Sequence, residues 1–306
     1  MKWVKGIIMT HGFLILLHNN YEQARKLMTL LDEENSYIFI HIDKKSILTD
    51  EDKSLFLRDV HLAQVIFVER VSVQWGGYSQ VQATLNLFNE AIKYDIDYFH
   101  LISGADLPLK TWEEFNTFFE ENKGTQFVSY VPEEYQEKLQ KRVKYYWLFQ
   151  EQIGNPKQAI RQKEFWKVCL LIIQRGFVLI QKIIGVDRRK RNEDISFRVG
   201  SNWVSITNEF LKYIVSNEQW IKKTFKYTLC SDEVFVTTLL SYSKAFTKIQ
   251  TNQRYIDWGR GNPYIFRNSD YNELMHSGKL FARKFNQEVD SKIIDRILQQ
   301  LLNRKY

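Results

Sequence analysis

Tyr98-Phe99-His100-Leu101-Ile102-Ser103 is a run of strand length, and Gly104-Ala105-Asp106 follows it directly. Just upstream, Val81–Ile92 sets Ala83, Leu85, Leu87, Phe88, Ala91 and Ile92 at helical spacing. A helix that feeds a buried apolar strand is half of a strand–helix–strand unit. The first 130 or so residues repeat it. Val4–Thr10, Tyr37–Ile42, Val65–Val68 and Gln126–Val131 read as further strands, and Tyr21–Leu31 as another helix. This alternation predicts an α/β fold with a mostly parallel sheet flanked by helices. In such sheets ligands bind beyond the carboxyl ends of the strands. Chemistry is therefore expected at His11-Gly12, Asp43-Lys44-Lys45, Glu69-Arg70 and Gly104-Ala105-Asp106.

Beyond that core the pattern changes. Residues 133–196 are charged, glutamine-rich and helical in spacing, with Lys138, Lys141, Arg142 and Lys144 close together and a basic run at Arg188–Arg191. From Phe197 the mixed pattern returns. The expectation is one domain, 1–306, with a first half (1–132), a helical insertion (133–196) and a second half (197–306).

Composition narrows the class. Four prolines and thirteen glycines exclude a collagen-like or linker-dominated chain, and 44% hydrophobic residues in 306 can build a core. Aromatics reach 15%, enough to leave rings for stacking on sugars or bases. The net charge of +7 suits anionic partners such as nucleotide phosphates or an anionic membrane. No RNA-binding signature accompanies it, and no nucleic-acid partner is expected. Two cysteines are too few for a disulfide framework. No uninterrupted apolar run is long enough to span a bilayer.

Walker A, Gly-x-Gly-x-x-Gly, HExxH, CxxC and Gly-x-Ser-x-Gly are all missing, which removes support for P-loop, nicotinamide, zinc and serine-hydrolase chemistry. Asp95-Ile96-Asp97 has the text of a metal-holding Asp-x-Asp. It precedes its strand, at the end opposite the ligand crevice, and reads better as a solvated turn. Ser231-Asp232-Glu233 reads either as an N-cap with an acidic first turn or as a general base at a rigid helix start. Phe281-Ala282-Arg283-Lys284-Phe285 reads either as a solvated face or as a phosphate clamp. Tyr255-Ile256-Asp257-Trp258 offers rings that could stack on a sugar.

Taken in order, His41–Lys45, Gln74–Ala83, Leu101–Leu109, Gly200-Ser201-Asn202-Trp203, Ser231–Glu233, Arg254–Trp258 and Phe281–Phe285 resemble the family-14 glycosyltransferases. That family holds the core-2/I-branching β-1,6-N-acetylglucosaminyltransferases and the peptide O-xylosyltransferases. The resemblance implies a GT-A-like fold, a UDP-sugar donor, inversion at the anomeric carbon, and no divalent metal or other cofactor. It puts the catalytic base at Glu233 and a diphosphate-binding lysine at Lys284. It puts His11, Asp43, Trp75, Gly104, Asp106, Trp258 and Arg267 on the donor side, and Arg142, Trp203 and Asp232 on the acceptor side.

The chain departs from its animal relatives, which are disulfide-bonded and membrane-anchored. With two cysteines and a start directly at the first strand, it is expected to be a bacterial, cytoplasmic form that adds GlcNAc, or alternatively xylose, to a surface polysaccharide or lipid-linked glycan. A non-catalytic carbohydrate- or nucleotide-binding protein on the same fold is the other reading. Segment 161–186 with Arg188–Arg191 reads either as a buried helix and solvated turn, or as an interfacial helix held against anionic lipid.

Overall fold

The computed structural model describes residues 9–192 and 194–303, with backbone alone at 191 and 192. The main sheet contains seven strands. β1 (His11–Leu17), β2 (Ser36–Ile42), β3 (Gln64–Phe67) and β4 (Tyr98–Ser103) run parallel, in the spatial order β3-β2-β1-β4. A three-residue strand, β5 (Asp106–Pro108), follows β4 and leaves for a second sheet. The main sheet continues through β7 (Ser205–Thr207), β6 (Gln126–Phe127) and β8 (Ile249–Gln250). There β7 is antiparallel to both neighbours, and β8 is parallel to β6. β9 (Arg254–Ile256) and β10 (Phe281–Arg283) complete the small sheet, in the order β5-β10-β9.

The helices arise where the periodicity places them, at Tyr21–Leu30 and Ser79–Ala91. Two cores lie on the faces of the sheet, and each takes residues from both ends of the chain. Phe13 and Ile40 pack with Phe281 and Ile293, while Leu14 and Phe99 pack with Phe210 and Phe235. The first and second halves therefore share one sheet. The insertion between β6 and β7 is made of helices Glu133–Lys144, Gln150–Ile153, Pro156–Arg161 and Phe165–Ile183.

The first strand differs from the sequence reading. Residues 4–8 of the expected strand lie outside the described residues, Met9 and Thr10 are not strand, and β1 begins at His11. The carboxyl end of β1 is therefore His18-Asn19-Asn20. A histidine interrupted the apolar run in the sequence, but here it is a fully buried strand residue. The expected strand Gln126–Val131 shortens to two residues, followed by a single bridge between Tyr130 and Gly200.

Ser231 does not cap the following helix either. Ser231–Glu233 forms a 3₁₀ turn, and the α-helix starts at Phe235 without a side-chain cap. Asp95-Ile96-Asp97 sits at the amino end of β4. There Asp97 accepts from the Thr10 amide at 2.8 Å and the Thr10 hydroxyl at 2.9 Å, a structural role.

Candidate active site

Beyond the carboxyl ends of β1, β2 and β4 lies a cavity of about 580 Å³. Three strand ends form its floor. Asp43, after β2, is tied to β1 by its amide, which donates to the Leu17 carbonyl at 2.8 Å. Its carboxylate accepts from the Lys45 amide at 2.9 Å and the Val73 amide at 3.3 Å. Gly104, after β4, passes so close to β1 that a Cβ there would meet Leu17 Cδ1 at 2.4 Å. Its carbonyl accepts from Gln23 Nε2 at 2.9 Å, and Gln23 also holds the Phe285 carbonyl at 3.2 Å. Glycine at 104 thus lets the turn after β4 lie against the end of β1.

The wall carries the cations. In Phe281–Phe285 the residues Phe281, Ala282 and Phe285 are buried in the core, which turns Arg283 and Lys284 to the cavity. Arg283 lies flat over the Trp203 ring, 3.9 Å from its centroid, and 3.5 Å from the buried Asp106 carboxylate. Asp106 itself does not line the cavity. It accepts from the Ser103 amide at 2.5 Å and anchors Arg283 from behind. Burial and the adjacent Arg283 both hold the Lys284 ammonium below the usual lysine range, with Asp106 opposing them. Burial likewise lowers Arg283. Two adjacent cations share one buried carboxylate, so an anion entering the cavity would relieve both.

The opposite wall comes from Gln74, Trp75 and Asp232. Trp75 is half-exposed at the rim. Asp232 is buried and accepts from Gln80 Nε2 at 3.2 Å and Asn202 Nδ2 at 3.4 Å, while its Oδ1 has no hydrogen-bond partner. Burial, then the neighbouring Glu233 charge, pushes the Asp232 carboxyl up to about 7. Glu233 is not among the lining residues. It stands one residue on, partly exposed, and ion-paired with Arg142.

Of the residues singled out in the sequence, the structure brings Asp43, Trp75, Gly104, Trp203, Asp232 and Lys284 to this one cavity. Asp106 lies just behind it, and Glu233 with Arg142 stands beside it. Three residues lie elsewhere. His11 opens β1 rather than closing it, so it sits at the amino end of the strands, away from the cavity. Its Nδ1 lies 2.9 Å from His100 Nε2, and its Nε2 lies 3.0 Å from Asn116 Oδ1. Trp258 is 64% exposed, and Arg267 is exposed at a 3₁₀ turn; neither lines the cavity. Arg260, the other arginine of that interval, is engaged with Asp257, Asp270 and Glu273.

The lining also includes His18, Gln23, Lys45, Gln80, Asn202 and Arg283, none of them among the selected site residues. A signal existed for most of them. Lys45, Asn202 and Arg283 lie inside the motifs, and His18 follows the longest unbroken apolar run of the first segment.

A polar, cationic cavity over the strand ends of a mostly parallel sheet marks an α/β protein built to hold an anionic ligand. The chain belongs to the Core-2/I-Branching enzyme family, whose model matches residues 12–277. Its curated relatives include xylosyltransferase sqv-6 of Caenorhabditis briggsae, 22% identical over 95% of this chain and 36% of that protein. Another is the bovine β-1,3-galactosyl-O-glycosyl-glycoprotein β-1,6-N-acetylglucosaminyltransferase, 22% identical over 91% of this chain and 66% of that protein. The chain thus spans about a third of the xylosyltransferases it matches. Among solved structures, apo mouse xyloside xylosyltransferase 1 aligns with a TM-score of 0.40 and 11% identity, covering 90% of this chain and 97% of that one.

Proposed function

We propose that this chain is an inverting glycosyltransferase that moves a sugar, GlcNAc or alternatively xylose, from a UDP-sugar to a hydroxyl of a glycan acceptor. Surface polysaccharides and lipid-linked glycans are the acceptor classes proposed. The family and its xylosyl- and N-acetylglucosaminyl-transferring relatives support the reaction class. The observation that carries the reading is the pair Arg283 and Lys284, turned into the cavity with Asp106 as the carboxylate beside them. A diphosphate supplies the missing negative charge.

When the bond between the anomeric carbon and UDP breaks, negative charge grows on the leaving diphosphate. Cations fixed in place stabilise that transition state more than the ground state. Trp203 holds the Arg283 plane and Asp106 holds it from behind, so little reorganisation is needed as charge develops. In this reading the two side chains do the work a divalent ion does elsewhere, and no metal is required. Among the described residues no three His, Cys, Asp or Glu side chains gather as a metal cage.

The proton of the acceptor hydroxyl goes to Glu233. Release of Glu233 from Arg142 as acceptor binds frees its carboxylate, and Arg142 then faces the acceptor. The test is a panel of UDP-sugars and glycan acceptors, scored by UDP release and product mass. Glu233→Gln should lose at least about 10²-fold in transfer, the scale of a general base, while UDP affinity changes little. Transfer by Glu233→Gln at the wild-type rate, together with loss in Asp232→Asn, would hand the base to Asp232.

A further inference from the structure

The helix Phe165–Ile183 is built inside out. The face it turns to the protein carries Leu171, Gln174, Val178 and Gln181, all buried. Both glutamines are fully engaged there. Gln174 Oε1 accepts from the Phe149 amide at 2.9 Å, and its Nε2 reaches Gln150 Oε1 at 3.3 Å. Gln181 Oε1 accepts from the Tyr146 amide at 2.7 Å, and its Nε2 donates to the Tyr146 carbonyl at 3.0 Å. The outward face carries Phe165, Ile172, Ile173, Leu179, Ile180 and Ile183, which are 47% to 79% exposed. A helix facing water arranges these groups the other way round. Nineteen residues make a rod about 28 Å long, with exposed apolar side chains from one end to the other.

We infer that this face docks in the plane of an anionic phospholipid bilayer. No helix among the described residues is long and apolar enough to cross a membrane, so the face lies on the surface rather than through it. Its charge pattern selects the partner. Arg175 and Lys182, seven residues apart and so on one edge of the face, are exposed and make no ion pair among the described residues. Lys163 before the helix and Lys190 after it are exposed as well. A single-sign basic rim around apolar side chains suits anionic headgroups over an acyl boundary. The same rim repels a second copy of itself.

The basic run Arg188–Arg191 contributes less than its sequence suggests. Arg188 is buried and donates to the carbonyls of Tyr145 at 3.1 Å, Tyr227 at 3.1 Å and Thr224 at 2.6 Å. Arg189 is paired with Asp187, and the Arg191 side chain lies outside the described residues. Arg188 instead bolts the insertion to the second half of the chain. The connection to the cavity is direct, because the short helix Pro156–Arg161 packs on Phe165–Ile183 and supplies Gln158 to the cavity wall, next to Asn155. Docking therefore sets the cavity wall close to the membrane surface.

The test is co-sedimentation of the full chain with vesicles of phosphatidylcholine alone or with added phosphatidylglycerol, at low and high salt. Binding is expected with phosphatidylglycerol at low salt and should weaken with salt. Ile173→Asp with Ile180→Asp should abolish it, and Arg175→Glu with Lys182→Glu should weaken it by roughly thirtyfold or more. UDP-sugar turnover on a soluble acceptor should be unchanged in both, and that turnover also shows that the variants fold. A wild-type chain that stays in the supernatant with phosphatidylglycerol at low salt overturns the inference. So does a lipid-free dimer that Ile173→Asp with Ile180→Asp dissociates without any vesicle binding. Vesicle binding without turnover would instead reject the catalytic reading and leave docking standing.

Discussion

The two ends of the parallel sheet both carry buried polar side chains, and they treat them in opposite ways. At the amino end the two buried histidines are joined to protein partners in one row. Arg254 Nη1 donates to Ser205 Oγ at 2.9 Å, Ser205 Oγ lies 2.8 Å from His100 Nδ1, and the chain runs on through His11 to Asn116. Because Asn116 Oδ1 accepts, His11 must donate from Nε2 and accept at Nδ1. His100 must then donate from Nε2 and accept from Ser205. One direction of donation satisfies the whole row, with both imidazoles neutral. At the carboxyl end, Asp232 Oδ1 has no hydrogen-bond partner, and Lys284 faces the cavity beside another cation. The histidine row holds the fold, and the open Asp232 oxygen and the Lys284 ammonium face the ligand cavity.

The sharpest way to break this contrast is to remove one group from each end. Lys284→Ala should lower turnover by about 10²–10³-fold, the cost of losing one preorganised charge partner, with the thermal transition little changed. His11→Phe should do the reverse. Turnover on a soluble acceptor should persist, while urea titration should show a stability loss of about 1–3 kcal/mol, because His100 is left without its acceptor. A His11→Phe enzyme of normal stability but no activity would erase the distinction.

Acid sharpens the same contrast. Burial holds His11 at about 4 and keeps His100 well below its ordinary value. Both fold as neutral rings, so the unfolded chain binds more protons between the unfolded value near 6.5 and the folded value near 4. The stabilisation is complete above pH 6.5 and is lost as pH falls toward 4. For His11 alone the loss is about 3 kcal/mol at the acid end. Urea unfolding across that window should show the midpoint falling steadily in the wild type and less steeply in His11→Phe.

The sheet was legible because its signals are local. Tyr98–Ser103 is a strand within its quoted limits, and helix periodicity located Tyr21–Leu30 and Ser79–Ala91 to within a residue or two. The end of β1 was not legible. His11 reads as a break in an apolar run unless one knows that His100, 89 residues away, will donate to it and Asn116, 105 residues away, will accept from it. The same holds for the inverted helix. Its amphipathic spacing shows in the sequence, but which face turns inward depends on Gln174 and Gln181 meeting Phe149, Gln150 and Tyr146. Motif reading reached six lining residues, and three of them, Asp43, Gly104 and Lys284, directly follow strands. It passed over Arg283 for its neighbour Lys284, although both face the cavity. Trp258 and Arg267 were drawn from loops, whose course local pattern does not fix.

The central claim is that fixed side-chain cations, rather than a bound ion, steady the departing nucleotide. The direct measurement is UDP release by the purified wild-type chain with its preferred UDP-sugar and acceptor, in excess EDTA and again with added manganese. The account predicts the same rate in both, and loss of that rate in Lys284→Ala whichever is present. Turnover that collapses in EDTA and returns with manganese would contradict it.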